Sequence, residues 1–262
     1  MGVSLWLTST TVGPGSTSSD LKSLIDSLSE RHSTPKFDPH VTLGRVPPSI
    51  SLDVALERLE RSVSEWRNSV DEADDGQASR GGDRSQSDRE RRRSLRLEFQ
   101  HLGTHAADRI YFQYLFVQVR LDERLRALRR AVREGMSSDS TTTSTMTTKS
   151  STEGRPNSDS ADHADAEDDK DDYFPHLSLA YGLDEPEDRE RPGTWRNALE
   201  IIDRLERDGT AGRALARSSA GADRTVEGYE VKGHDAFEVD EVLIVRCEGR
   251  PEEWEVLGRV AL

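Results

Sequence analysis

Between Ser137 and Asp172 the chain reads SSDSTTTSTMTTKSSTEGRPNSDSADHADAEDDKDD, a stretch nearly devoid of large apolar side chains. Such a segment cannot bury enough surface to offset the entropy of ordering its backbone, so the folded elements must be sought on either side of it. Residues 137–172 are therefore read as a disordered insertion. Asp71 to Arg93, DEADDGQASRGGDRSQSDRERRR, has the same character with more arginine and is read as a second, shorter insertion, 71–93. Its Arg89, Arg91, Arg92 and Arg93 suit contact with RNA or acidic partners, but a solvated loop is the plainer reading.

The long insertion holds ten acidic residues against three basic ones, half of the net charge of −14. What remains is only mildly acidic and leaves room for a local basic pocket. A broad basic face for long nucleic acid is not expected, because Lys and Arg neutralising phosphates supply most of that affinity. A small anionic ligand is compatible with the charge. The one cysteine, Cys247, allows neither an internal disulfide nor a cysteine-rich zinc site, which agrees with a reducing compartment. No apolar run approaches the roughly 18 residues that span a bilayer, and the start lacks the regions of a secretory signal. A cytoplasmic monomer is expected; Golgi or other membrane association leaves no mark in such a chain. Neither GxGxxG nor GxxxxGK[ST] occurs, and no histidine pair has the i, i+4 helical spacing of a zinc site with a carboxylate partner, His101 and His105 flanking a turn, so neither cofactor nor metal is expected.

With both insertions set aside, strand-like and helix-like segments alternate. VSLWLT sets Val3, Leu5 and Leu7 against Ser4, Trp6 and Thr8, the period of a half-buried strand. SSDLKSLIDSLSERH places Leu21, Leu24, Ile25 and Leu28 on one helical stripe. A strand follows around HVTLGRV, then a helix from near Ser51 with Leu56, Leu59, Val63 and Trp66 on one face. SLRLEFQHL and IYFQYLFVQV read as strands and LDERLRALRRAV as a helix. After the acidic insertion come the strand HLSLAY, a helix carrying Ala198, Ile202 and Leu205, and the strands VEGYEVKG, EVDEVLIVRC and WEVLGRVAL. This order argues for an α+β protein with mixed or antiparallel sheets rather than a parallel doubly wound one.

Two segments half a chain apart repeat one another: DPHVTLGRV from Asp38 and FPHLSLAYG from Phe174. Residues i and i+2 of a strand share a face, so His40 sides with Thr42 and His176 with Ser178. One histidine beside a hydroxyl is most often a structural group. A Pro-His-apolar-Ser/Thr-Leu string arises by chance on the order of once per hundred chains of this length, so two copies are improbable. If both strands edge one concave surface, two imidazoles and two hydroxyls meet there. Hydroxyls can hold phosphate oxygens, and imidazoles with a pKa near 6.5 can supply one base and one acid near neutrality. No GxSxG elbow presents a serine nucleophile.

PHVTLG and PHLSLAYG resemble the tandem His-x-Thr/Ser signatures of the two-histidine (2H) phosphoesterase superfamily, and the order of segments resembles its fungal and plant cyclic phosphodiesterase branch. VSLWLT is similar to the family's first strand with its tryptophan, YFQYLFVQV to its aromatic-Gln strand, and Tyr181 stands where the family has an active-site tyrosine. The resemblance implies a single bilobal catalytic domain over 1–262, with two similar α+β lobes facing a central cleft and helices outside. It implies metal-free hydrolysis of ADP-ribose 1″,2″-cyclic phosphate, a by-product of tRNA splicing, to ADP-ribose 1″-phosphate, and of nucleoside 2′,3′-cyclic phosphates to 2′-phosphates. The two long insertions depart from the compact plant form.

On this reading His40 and His176 divide the proton work in an order the near-symmetric motifs do not fix, while Thr42 and Ser178 hold the phosphate. Tyr181 is either a core tyrosine or a phosphate or water contact; strict alternation places it opposite His176 unless the strand bends. Trp6 either stacks on a base or is buried between helix and sheet, Tyr111 is a second stacking candidate, and Phe112, Tyr114 and Phe116 are read as core. The alternatives are an enzyme of the same superfamily acting on RNA ends or 2′,5′ linkages, and a module that binds nucleotides or RNA without turnover.

Overall fold

The computed structural model describes residues 2–11, 13–77, 94–105, 111–137, 173–182, 194–214 and 228–262. In chain order the elements are β1 (Val3–Thr8), α1 (Thr17–His32), β2 (Val41–Arg45), α2 (Leu52–Gln77), β3 (Leu95–Gly103), β4 (Leu115–Val119), α3 (Glu123–Ser137) and β5 (His176–Ala180). Then follow α4 (Thr194–Arg207), β6 (Ala211–Ala214), β7 (Gly228–Val231), β8 (Ala236–Val239), β9 (Glu241–Arg246) and β10 (Glu255–Ala261). The insertions read at 71–93 and 137–172 lie outside the described residues except at their starts, where Asp71 to Gln77 continue α2 and Ser137 ends α3.

Eight strands form one sheet in the order β10-β9-β1-β2-β5-β4-β3-β8, with every neighbouring pair antiparallel. Each half holds four strands, β10-β9-β1-β2 and β5-β4-β3-β8. The halves meet through one registered pair, Val41 opposite Leu177. These are the two lobes, and their shared seam is the start of both repeated motifs. The sheet also curls. Strands β8 and β9 lie six places apart, roughly 29 Å in a flat sheet at about 4.8 Å per strand, yet only Asp240 separates them in sequence. Asp240 fixes that corner by accepting from Thr10 N at 2.7 Å and Thr10 Oγ1 at 2.6 Å, while its own amide donates to Thr8 O.

Helices cover one face of the sheet. Leu21, Leu24, Ile25 and Leu28 of α1, Leu59, Val63 and Trp66 of α2, and Leu125, Leu128 and Val132 of α3 join Leu5, Leu7, Val41, Leu43, Leu177 and Leu179 in the main core. The alternation in VSLWLT thus points Leu5 and Leu7 into the helices and leaves Trp6 for the opposite face, where it packs with Leu243 and Val245. Helix α1 is capped by Ser16, whose side chain accepts from Ser19 N, and is closed by Ser33 in the left-handed region.

Two strand readings are corrected. EVDEVLIVRC is two strands, β8 and β9, at opposite ends of the sheet order, broken at Asp240. IYFQYLFVQV becomes a strand only from Leu115, and Tyr111–Gln113 form a turn of 3-10 helix held by His105 N donating to Gln113 O. A further antiparallel pair joins β7, read as the strand VEGYEVKG, to β6, which had no counterpart in the sequence reading.

Candidate active site

The seam places the repeated residues as the period-2 argument requires. Val41 and Leu177 are fully buried in the core, so the residues flanking each face the other side. Continuing the Val41–Leu177 pair by one residue each way sets His40 opposite Ser178 and Thr42 opposite His176. The four groups mark the corners of a patch about 5 Å by 7 Å, with the histidines on one diagonal and the hydroxyls on the other.

Local geometry is repeated as well. In both motifs proline precedes the histidine, which holds the residue before it in extended conformation. The carbonyl of that residue then meets the imidazole: His40 Nδ1 lies 2.7 Å from Asp38 O, and His176 Nδ1 lies 2.9 Å from Phe174 O. A carbonyl only accepts, so each Nδ1 carries the proton and each Nε2 is the nitrogen left for chemistry. Both strands also carry a bulge at the same motif position. Trp6 pairs with Thr42 and Leu5 with Gly44, skipping Leu43; Phe116 pairs with Ser178 and Leu115 with Ala180, skipping Leu179. The second bulge reverses the alternation and brings Tyr181 to the site, where its hydroxyl donates to His40 Nε2 at 3.3 Å.

The lobes differ in how they enclose their histidines. His40 is 5% exposed. Trp6 stacks on it at 3.6 Å between ring centroids and an interplanar angle of 10°, Phe37 meets it edge-on at 6.0 Å, and Phe37 also stacks on Tyr181 at 4.0 Å. Burial pushes its pKa down to about 4; the Asp38 carbonyl opposes this and His176 adds to it. His176 is partly exposed and meets Phe116 edge-on at 5.5 Å and Phe174 at 5.4 Å. Its pKa is lowered too, first by burial, against the Phe174 carbonyl and with help from His105. His40 is therefore the histidine that gives up its charge more readily.

The hydroxyls also differ. Ser178 Oγ donates to Phe112 O at 2.9 Å, so donation to a phosphate oxygen requires that bond to turn over. Thr42 is held through its backbone, whose carbonyl accepts from Tyr173 Oη at 2.9 Å across the lobe seam. Tyr173 in turn lies under the Arg129 guanidinium at 3.9 Å, and Arg129 Nη1 donates to Leu43 O at 2.6 Å. Trp6 lies at the site, with the His40 ring against its indole. Tyr111 begins the 3-10 turn, and its side chain lies outside the described residues.

Sequence reasoning missed several aromatic residues. Phe112, read as core, is 37% exposed and stands edge-on to Tyr181 at 5.3 Å. Trp254 meets Trp6 at 5.4 Å and Tyr181 at 5.8 Å. Phe37 stands three residues before His40 and directly before the first motif. A cavity of about 690 Å³ opens beside His40, lined by Trp6, Thr8, Glu241 and Trp254 among others. Among the described residues no group of three or more His, Cys, Asp or Glu is placed to hold a metal ion, and no helix is long and apolar enough to cross a membrane.

Two facing His-x-Thr/Ser strands in a two-lobed α+β sheet define a 2H phosphoesterase. The chain belongs to the cyclic phosphodiesterase-like protein family, whose model matches residues 1–262. No curated protein matches the sequence. Among solved structures the chain is similar to E. coli LigT complexed with phosphate, at 10% identity and a TM-score of 0.38 over 100% of this chain and 96% of that one. The E. coli LigT complex with NADP+ matches at 11% and 0.38 over 100% and 97%, as does a crystal structure of a phosphoesterase.

Proposed function

We propose that the protein opens ribose cyclic phosphates without a metal ion, converting nucleoside 2′,3′-cyclic phosphates to 2′-phosphates and ADP-ribose 1″,2″-cyclic phosphate to ADP-ribose 1″-phosphate. The observation that carries this reading is the matched pair of imidazoles, each with Nδ1 tied to the carbonyl two residues back and Nε2 left for proton transfer. A module that only binds has no need of two such groups.

In the proposed reaction Thr42 and Ser178 donate to non-bridging phosphate oxygens. One neutral imidazole takes a proton from water as its oxygen bonds phosphorus, and the other imidazolium gives a proton to the departing 3′ oxygen as that P–O bond breaks. Burial suits His40 to start neutral as the base and the more exposed His176 to start charged as the acid. Tyr181, bonded to His40 Nε2, must yield that position to the attacking water or orient it. The substrate is a small cyclic phosphate and not a long nucleic acid, and the protein acts as a soluble monomer.

Turnover of adenosine 2′,3′-cyclic phosphate and of ADP-ribose 1″,2″-cyclic phosphate, followed by chromatography of the product isomers, tests this directly. The expected products are the 2′-phosphate and the 1″-phosphate. Release of the 3′-phosphate, or no turnover of either compound, contradicts the reading.

A further inference from the structure

The cavity beside His40 extends over β1, β9 and β10, and no described residue of β5 lines it. Its volume of about 690 Å³ falls in the range of sites that enclose small organic ligands. Glu241 stands at its far side. Register puts Glu241 opposite Thr8, and the Leu7–Val41 pair continued by one residue puts Thr8 opposite His40. Two strand spacings, about 10 Å, thus separate the carboxylate-bearing backbone from the histidine. That is the scale of the span from a ribose cyclic phosphate to the far edge of its base.

Glu241 is a carboxylate in want of a donor. Its side chain is 10% exposed, Arg259 Nη1 is ion-paired with it at 3.8 Å but beyond hydrogen-bond reach, and no described group donates to it. Burial raises its pKa, with Arg259 opposing and Asp240 adding to the rise. The ion pair leaves both carboxylate oxygens free to accept hydrogen bonds, so a ligand that supplies donors there gains contacts that Arg259 does not make. Beside it, Trp254 offers an aromatic wall. The lysines of the cavity are already engaged, Lys22 with Asp26 at 2.5 Å and Lys36 with Glu30 at 2.7 Å. This suits an uncharged base better than a diphosphate.

Resting on the cyclic phosphodiesterase reading above, we propose that this cavity is a nucleobase subsite in which Glu241 reads donors on the base edge, with guanosine 2′,3′-cyclic phosphate the favoured substrate. Guanine presents two adjacent donors, N1–H and the N2 amino group, that match the two oxygens of one carboxylate. Adenine and cytosine present one amino group. Uracil sets its single N3–H between two carbonyl oxygens, which a carboxylate repels.

Two measurements separate this subsite from the catalytic reading. The first is kcat/KM for the guanosine, adenosine, cytidine and uridine 2′,3′-cyclic phosphates. The second is binding of 2′-GMP and 2′-UMP, followed by tryptophan fluorescence, which needs no turnover. The wild-type protein is expected to favour guanine over uracil by about tenfold or more in both, the scale of a bidentate base contact. Glu241→Gln, which exchanges one acceptor oxygen for a donor, is expected to bring the ratio to within about twofold. Equal binding of 2′-GMP and 2′-UMP by wild type overturns the subsite whether or not the variant folds, and so does an unchanged ratio in Glu241→Gln. Preserved binding preference without hydrolysis of any cyclic phosphate overturns the catalytic reading alone and leaves the subsite standing.

Discussion

Lowering the pH should unfold this protein partly through His40, and the size of the effect follows from its burial. The imidazole is 5% exposed, stacked on Trp6, and its pKa is pushed down to about 4 in the fold. In the unfolded chain it returns to about 6.5. Between those values the unfolded state binds more protons than the folded one, so stability is complete above about pH 6.5 and is lost as pH falls toward 4. The full gap corresponds to about 3 kcal/mol, of which about 2 kcal/mol is lost between pH 7 and pH 5. Urea denaturation of wild type and His40→Gln at those two pH values isolates the contribution, because the carboxylates are common to both. The wild type is expected to lose about 2 kcal/mol more than the variant on going to pH 5. Equal losses would refute the argument and mean that His40 keeps an ordinary pKa in the fold.

Four further outcomes follow from the geometry. The pH profile of kcat/KM is expected to be a bell centred on the acid side of neutrality, because both histidines are pushed below 6.5; a plateau through pH 8 contradicts it. Tyr173→Phe removes the donor to Thr42 O and is expected to cost about 1 kcal/mol of stability and to raise KM more than it lowers kcat, measured by denaturation and steady-state kinetics. A Cβ on Gly103 would come within 2.7 Å of the Phe116 ring, so Gly103→Ala is expected to displace Phe116 against His176 and reduce kcat, with a changed His176 proton shift in NMR as the direct readout. At Gly135 a Cβ would run into Ser62 Oγ where α2 meets α3; Gly135→Ala is expected to destabilise by about 1–3 kcal/mol, and Ser62→Ala to restore part of it, read as shifts in the urea midpoint.

What the sequence revealed depended on whether the signal was local. Alternation in VSLWLT and the stripe Leu21, Leu24, Ile25, Leu28 each report one element against one core, and both elements stand as read. The break inside EVDEVLIVRC has no such signal: Asp240 ends β8 because its carboxylate and amide are engaged by Thr10 and Thr8, more than two hundred residues away. The turn at Tyr111–Gln113 likewise answers to Ser178, which donates to Phe112 O. At the site, the histidines and hydroxyls were legible because the motif is written twice, and the proline before each histidine encodes the carbonyl that orients it. Trp254 and Phe112 carry no motif. They reach Tyr181 only once the lobes are assembled. Tyr181 itself defied simple alternation because the bulge at Leu179 depends on pairing with β4.

The central claim is that two imidazoles share the proton work of phosphodiester hydrolysis. Hydrolysis of adenosine 2′,3′-cyclic phosphate in excess EDTA by wild type, His40→Gln and His176→Gln tests it most directly. The account predicts 2′-AMP from wild type and a fall in kcat of about 10²- to 10⁴-fold in each variant. Turnover near the wild-type rate from either folded variant, or wild-type activity that EDTA abolishes, would contradict it.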